Sequence, residues 1–345
     1  MRVLVTGGCG FIGSHTIRLA LGNEKIERVV NLDALTYSGQ PMNLQDVSES
    51  QRYRFVHGSI NDSDIVSSIC NDERIDVIVH LAAESHVDRS IDSIEDFVRT
   101  NVDGTRVLLE QILKSKGLGK KIHFVHISTD EVYGSLSPED PPFTENSPIC
   151  PMNPYSATKA ASDMLVQSFV NTHGISAIIT RCSNNYGPNQ FPEKLIPLMT
   201  LNALSGKSLP VYGDGLQIRD WIHVEDHARG ILLCMQGLME GNFESGEIFN
   251  FGANKEMTNI EIVSTIIELT GSSTDQIEYV TDRPGHDRRY AMGFEKANKF
   301  LDWSPKIDWQ SGIKSTVSWY RENSEWVEST KNGEYLEWLK SHYGG

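Results

Sequence analysis

Short β-branched runs alternate with longer amphipathic stretches through the first half of the chain, and this alternation restricts the fold more than any other feature. The runs are Val3–Thr6, Arg28–Leu32, Tyr53–His57, Val77–Leu81, His123–Ser128 and Ala177–Arg181. Between them lie Ser14–Leu21, Asp62–Cys70, Val102–Lys114 and Tyr155–His173, with apolar residues at helical spacing. Strands of about five residues separated by helices pair in parallel through right-handed crossovers. Val77-Ile78-Val79 is apolar on both faces, as a central strand covered by helices should be. The expected fold is α/β, a doubly wound parallel (Rossmann-type) sheet with a smaller C-terminal α/β substrate lobe.

After Arg181 the rhythm changes. Asn184–Pro197 is rich in Asn, Pro and Gly and reads as a long loop feeding a helix, while Ile248–Phe251 is a strand able to rejoin the sheet. These breaks divide the 345 residues into a nucleotide-binding domain over 1–182, with 223–252 returning to it, and a lobe built from 183–222 and 253–345. Five of the six tryptophans (Trp303, Trp309, Trp319, Trp326 and Trp338) fall in the last third. They are read as packing for the lobe in preference to a sugar platform, since tryptophan is most often core or interface.

Charge narrows the partners. Lys+Arg number 31 and Asp+Glu 46, a formal charge of −15. Such a surface repels phosphate backbones and anionic lipid, so nucleic acid and membrane are poor partners, although a local pocket can still be basic. No stretch approaches the ~18 apolar residues of a membrane span. Met1 leads at once into a strand, without the charged and apolar segments of a secretory signal. Five scattered cysteines without CxxC spacing suit a reduced, cytoplasmic protein.

Gly7, Gly10 and Gly13 form GxxGxxG between the first strand and the first helix. Gly7 and Gly10 allow a tight turn and close approach to a pyrophosphate; Gly13 lets helix pack on strand, and the helix N-terminus faces the negative charge. Asp33 ends the second strand, 20 residues beyond Gly13. An acid there accepts from a ribose 2′-hydroxyl and repels a 2′-phosphate, favouring NAD over NADP. A structural turn and a cap are the plain alternatives for these residues.

Tyr155 and Lys159 stand at i and i+4, on one helix face, just after Asn153-Pro154, a helix start. A nearby ammonium and the positive nicotinamide ring are expected to favour the phenolate, lower the phenol's pKa and make it a base. With Thr129 at the end of a strand, this trio suits removal of a hydroxyl proton as hydride leaves its carbon. Thr129 is followed by Asp130-Glu131. Two adjacent carboxyls, one kept protonated by burial or by its neighbour, suit elimination of water next to a ketone. Their plain alternative is a solvated loop pair. The histidines lack metal-ligand spacing: His123 and His126 point to opposite faces of a strand, and His80 and His86 lack a carboxylate or cysteine set. No metal is expected.

The chain resembles the nucleotide-sugar 4,6-dehydratases among the extended short-chain dehydrogenases/reductases. The resemblance is carried by Thr6–Gly13, Asp33–Gly39, His80–Ile91, Ser128–Gly134 (STDEVYG), Tyr155–Ala160, Arg181–Pro197 (RCSNNYGPNQFPEKLIP), Leu209–His227 and Arg283–Tyr290, nearly the whole chain. It implies NAD as cofactor and dTDP-glucose as substrate, with UDP-glucose dehydration or 4-epimerisation as alternatives. In the implied roles Tyr155 takes the C4 hydroxyl proton, Glu131 the C5 proton, and Asp130 protonates the departing C6 hydroxyl. Lys159 binds the nicotinamide ribose and tunes Tyr155. Matching cofactor positions are Gly7, Gly10, Phe11, Ile12, Gly13, Asp33, Ala34, Leu35, Thr36, Ser59, Ile60, Leu81, Ala82, Ala83, Thr100, Tyr155, Lys159 and Asn185. Matching substrate positions are Ser85, Thr129, Asn184, Lys194, Leu195, Pro210, Val211, Tyr212, Arg219, Asn254, Arg283 and His286, with Arg219 and Arg283 suited to clamp a pyrophosphate. Ser59 replaces the family's usual Asp at the adenine edge, and Ala34 a common Lys. The resemblance also implies a homodimer paired through helices near Val102–Lys114 and Tyr155–His173. A product of this kind feeds rhamnose and other deoxysugars.

Overall fold

The computed structural model describes residues 1–282 and 284–331. Six strands arise where the β-branched runs lie: β1 (Arg2–Thr6), β2 (Arg28–Asp33), β3 (Tyr53–His57), β4 (Val77–His80), β5 (His123–Thr129) and β6 (Ser176–Cys182). Further along come β7 (Asn184–Tyr186), β8 (Leu209–Tyr212), β9 (Ile218–His223), β10 (Ile248–Phe251), β11 (Glu256–Thr258) and β12 (Ile277–Val280). Seven of them form one sheet in the order β10-β6-β5-β4-β1-β2-β3. Every pairing in it is parallel. Strand order reverses between β1 and β4, and ligands of such sheets bind at the carboxyl ends beside that switch.

Both sheet faces are covered. On one, Val3, Val5, Val79, Val125 and Ile178 meet Ile17 and Ala20 of the helix Phe11–Leu21 and Ile231 and Met235 of the helix Val224–Glu240. On the other, Leu4, Val30, Ile78, Phe124 and Ala177 meet Val66, Leu108, Ile112 and Val166. All residues of β4 and β5 are consequently buried, which accounts for the apolar run Val77-Ile78-Val79. The lobe has its own core, in which Ile196, Met199, Leu209, Val211, Ile262, Ile266, Trp309 and Ile313 pack together. Its strands form a β11-β9-β7 sheet and a β12-β8 pair.

Three details differ from the sequence reading. The segment after Arg181 is not all loop, because Asn184–Tyr186 pairs in parallel with β9 as β7. The helix at Val102–Lys114 opens with a wide π turn at Val98–Gly104 before the α-helix Thr105–Gly117. Such turns recur at functional sites; here Asn101 donates to the Glu84 carbonyl and to Thr158, and accepts from the Glu84 N–H. The tryptophans are also not all lobe packing. Trp303 lies in the main core, against Phe251 and Phe294, and donates to the Asp226 carbonyl. Trp326 reaches back to Asn43 near the N-terminal helix. Trp338 lies outside the described residues.

Candidate active site

The glycine turn is constrained on every side. Gly7 has φ +70°, and a Cβ there would lie 2.7 Å from the Ala82 backbone. A Cβ on Gly13 would lie 2.2 Å from the Gly7 carbonyl oxygen. The helix that follows begins at Gly10 without a side-chain cap, leaving its first N–H groups for an anion. Asp33 accepts from the Cys9 N–H at 2.8 Å and the Leu35 N–H at 2.8 Å, so it shapes the turn as well as facing the cleft. Burial raises its pKa, and those two bonds pull the other way. A carboxylate has lone pairs to spare for a further donor. Bare glycine backbone, an uncapped helix end and a buried acid together fit a dinucleotide.

These residues open onto a cavity of about 1100 Å³ at the carboxyl ends of the strands. Of the cofactor residues expected from sequence, all but Leu35 line it. Leu35 has φ +51° and packs partly against the main core. Of the substrate residues, Ser85, Thr129, Asn184, Lys194 and Leu195 line the cavity. Pro210, Val211, Tyr212, Arg219, Asn254 and His286 do not, and Arg283 lies outside the described residues. Val211 is in the lobe core, Tyr212 donates to Asp88 at 3.2 Å, and His286 pairs with Asp282. Arg219 is buried, donates to the Ile218 and Asp287 carbonyls and lies over the Tyr290 ring. Both of its terminal nitrogens donate to backbone, and among the described residues the cation lining the cavity from the substrate set is Lys194, whose Nζ donates to the Ser85 carbonyl at 2.8 Å.

The catalytic candidates converge. β5 delivers Thr129, and a single 3₁₀ turn, Asp130–Tyr133, follows it. The Thr129 hydroxyl caps that turn by accepting from the Glu131 N–H and donates to Asp130 Oδ1 at 3.2 Å. The helix Pro154–His173 brings Tyr155 and Lys159 alongside. Asn153 caps that helix, and its Nδ2 donates to Glu131 Oε2 at 3.1 Å, aiming the carboxylate. Asp130 is fully buried with Oδ2 unpartnered among the described residues. Burial first, then the Glu131 charge, pushes its pKa well above the usual carboxylate range, while Arg219 opposes them. Its surroundings therefore favour the protonated form of this carboxyl.

The chain's own groups do not by themselves favour the Tyr155 phenolate. Tyr155 is pushed up, by burial and then by Glu131, and only its bond with Thr129 among the leading influences favours the phenolate. Lys159 does not offset this, because its Nζ is turned onto the Ile127 carbonyl at 2.8 Å. Burial lowers the Lys159 pKa to about 8. Lysine at i+4 shares a face with the tyrosine, but a backbone carbonyl of β5 decides where its charge sits.

Sequence reasoning missed the second role of Asn153, legible there only as a cap, and a cluster of Tyr37, Arg89 and Glu193 along the cavity. Among the described residues no three His, Cys, Asp or Glu side chains gather as metal ligands. His80 instead bonds Thr6 and Thr105, and His126 sits against Asp163.

A parallel sheet with a glycine turn, and a Tyr–Lys helix face opposite a Thr-capped strand end, define an extended short-chain dehydrogenase/reductase. The chain belongs to the GDP-mannose 4,6 dehydratase family, whose model matches residues 4–316. It is 48% identical to a dTDP-glucose 4,6-dehydratase of Shigella flexneri, over 100% of this chain and 99% of that one. It superposes on the dTDP-glucose 4,6-dehydratase of Streptomyces venezuelae, solved with NAD bound, with a TM-score of 0.90, 44% identity and coverage of 96% of this chain and 100% of that one. The corresponding enzyme of Bacillus anthracis, in complex with NAD, matches with a TM-score of 0.86 and 46% identity, over 96% and 100% of the two chains.

Proposed function

We propose that this chain dehydrates dTDP-glucose to dTDP-4-keto-6-deoxyglucose, with NAD as its resident cofactor. The observation that carries the reading is the buried Asp130, whose surroundings favour its protonated form, and the Asn153-aimed Glu131 beside Tyr155 in one cavity. Oxidation or epimerisation at C4 needs Tyr155 alone; an acid and a base beside it serve an elimination.

NAD, when bound, accepts the C4 hydride and returns it to C6. Tyr155 takes the C4 hydroxyl proton, and Thr129 orients both the phenol and the substrate. The C4 ketone makes the C5 proton acidic, and Glu131 removes it. Asp130 gives its proton to the C6 hydroxyl, which leaves as water. Glu131 then returns its proton to C5. Over one turnover Tyr155 gains a proton and Asp130 loses one, so the site resets by a net transfer between them. The Thr129 hydroxyl, bonded to both, lies on that route. The glycine turn, Asp33 and Lys159 would hold the cofactor, and Lys194 would meet the pyrophosphate.

We also read the chain as a cytoplasmic homodimer. The five unpaired cysteines suit a reducing compartment. Exposed Ile94 and Val98 before the helix Thr105–Gly117, and Met164 on the helix Pro154–His173, are apolar groups that a partner copy would cover. Among the described residues no helix is long and apolar enough to cross a membrane. Light scattering during size-exclusion chromatography tests the dimer.

The reaction is tested by incubation with dTDP-glucose and UDP-glucose separately in deuterated water, read by mass spectrometry and NMR. Loss of one water with deuterium at C5, and faster turnover of dTDP-glucose, are expected. Recovery of intact hexose or of a C4 epimer would overturn the assignment.

A further inference from the structure

Three chain segments that are distant in sequence meet at one buried carboxyl in the cavity wall. Glu193 lies in the loop after β7, and this loop roofs the cavity with Gln190, Phe191 and Lys194. Its side chain is 1% exposed. Oε1 accepts from the Tyr37 hydroxyl at 3.0 Å, and Oε2 lies 3.4 Å from Arg89 Nε. Arg89 in turn stands over the Tyr37 ring, 3.8 Å from its centroid, and Phe191 meets the same ring edge-on at 5.6 Å. Tyr37 belongs to the segment that follows Asp33 at the end of β2; Arg89 belongs to the helix Val87–Asp92 after β4. All three line the cavity.

Burying a carboxylate and a guanidinium costs desolvation that an apolar trio of similar volume would avoid. Such a cluster specifies one arrangement of three loops; it does not maximise stability. The arrangement joins the segment expected to hold the cofactor's ribose to the roof of the substrate side. In the proposed reaction the hydride taken from C4 must return to C6 of the same sugar, so the dinucleotide has to stay through both half-reactions.

We propose that Glu193, with Tyr37 and Arg89, latches the roof loop across the dinucleotide and keeps it resident during turnover. Glu193 acts through its two partners and is a positioning residue. The proposal rests on the dehydratase reading. The roof has other anchors: Tyr320 donates to the Gln190 carbonyl at 2.6 Å, and Asn189 donates to Asn43 at 3.2 Å. Loss of the latch therefore loosens the loop without unfolding the lobe.

The test loads purified protein with radiolabelled NAD and follows its release into excess unlabelled NAD, for wild type, Glu193→Gln and Tyr37→Phe. Each variant removes one polar interaction with little change of shape. Release is expected to be about 10- to 100-fold faster in Glu193→Gln and about 10-fold faster in Tyr37→Phe, the range for buried hydrogen bonds to charged groups. With saturating NAD, kcat should stay within about three-fold of wild type, while the rise in unfolding temperature that NAD confers should be smaller in the variants, which a merely structural role would not produce. Wild type that retains NAD, with both variants releasing it at the same rate, overturns the latch alone. Wild type that takes up no NAD overturns the dehydratase reading and the latch with it.

Discussion

Glu131→Gln separates oxidation from elimination. Asn153 Nδ2 donates to Glu131 Oε2, and the glutamine carbonyl oxygen can accept the same bond, so the side chain should keep its place. An amide has no basic lone pair for the C5 proton. A positioned general base contributes about 10²–10⁴-fold, which is ~3–5 kcal/mol at 1.36 kcal/mol per decade. The same change acts oppositely on the two neighbours. The Glu131 charge helps to raise Tyr155 and Asp130, so its removal eases ionisation of the phenol and leaves burial and the Asp220 charge to keep the Asp130 pKa raised. Oxidation at C4 should persist or quicken while dehydration falls by two to four decades. Single-turnover absorbance of the reduced nicotinamide reads the first step. Deuterium entry at C5 and formation of the 4-keto-6-deoxy product read the second. If the variant dehydrates within about three-fold of wild type, Glu131 is not the C5 base; if both steps fall together, the carboxylate serves positioning instead.

Tyr155→Phe should abolish both steps, by about 10²–10⁴-fold, because the acceptor of the C4 hydroxyl proton is gone; no reduced nicotinamide should form in a stopped-flow trace. Asp130 has a folded pKa raised above its unfolded value, so its stabilising contribution is complete below the unfolded value and is lost as pH rises towards the folded one. Asp130→Asn should therefore be inactive yet more stable than wild type, with a gap in urea unfolding that is wider at pH 8 than at pH 5. Gly7→Ala forces a left-handed φ at about 1–2 kcal/mol and sets a Cβ 2.7 Å from the Ala82 backbone; NAD affinity measured by calorimetry should fall at least ten-fold. Trp303→Ala should cost about 3–5 kcal/mol in urea unfolding, since the ring is fully buried against Phe251 and Phe294.

The sheet was legible because its strands are short, β-branched and separated by regular helices, patterns local enough to read without coordinates. The tripartite site was half legible. Tyr155, Lys159, Thr129, Asp130 and Glu131 sit in two short segments whose residue types announce their chemistry. What joins the segments was invisible: Asn153 on Glu131 spans 22 residues and Tyr37 on Glu193 spans 156. The expected substrate contacts beyond β8 were the least secure part. Arg219 turns its guanidinium onto backbone carbonyls, and Tyr212 onto Asp88.

By itself the amino-acid sequence determined the class of sheet, the glycine turn and the kinds of reactive groups, because those depend on spacing along the chain and on side-chain chemistry. Tertiary structure alone decided that the Asp130 pKa is raised, since burial sets that, and where Lys159 places its charge, since a carbonyl on a neighbouring strand claims it. It also decided which tryptophan belongs to which core and which three loops close around Glu193. Desolvation and contacts between distant segments exist only once the chain has folded, so no reading of neighbours along the chain could supply them.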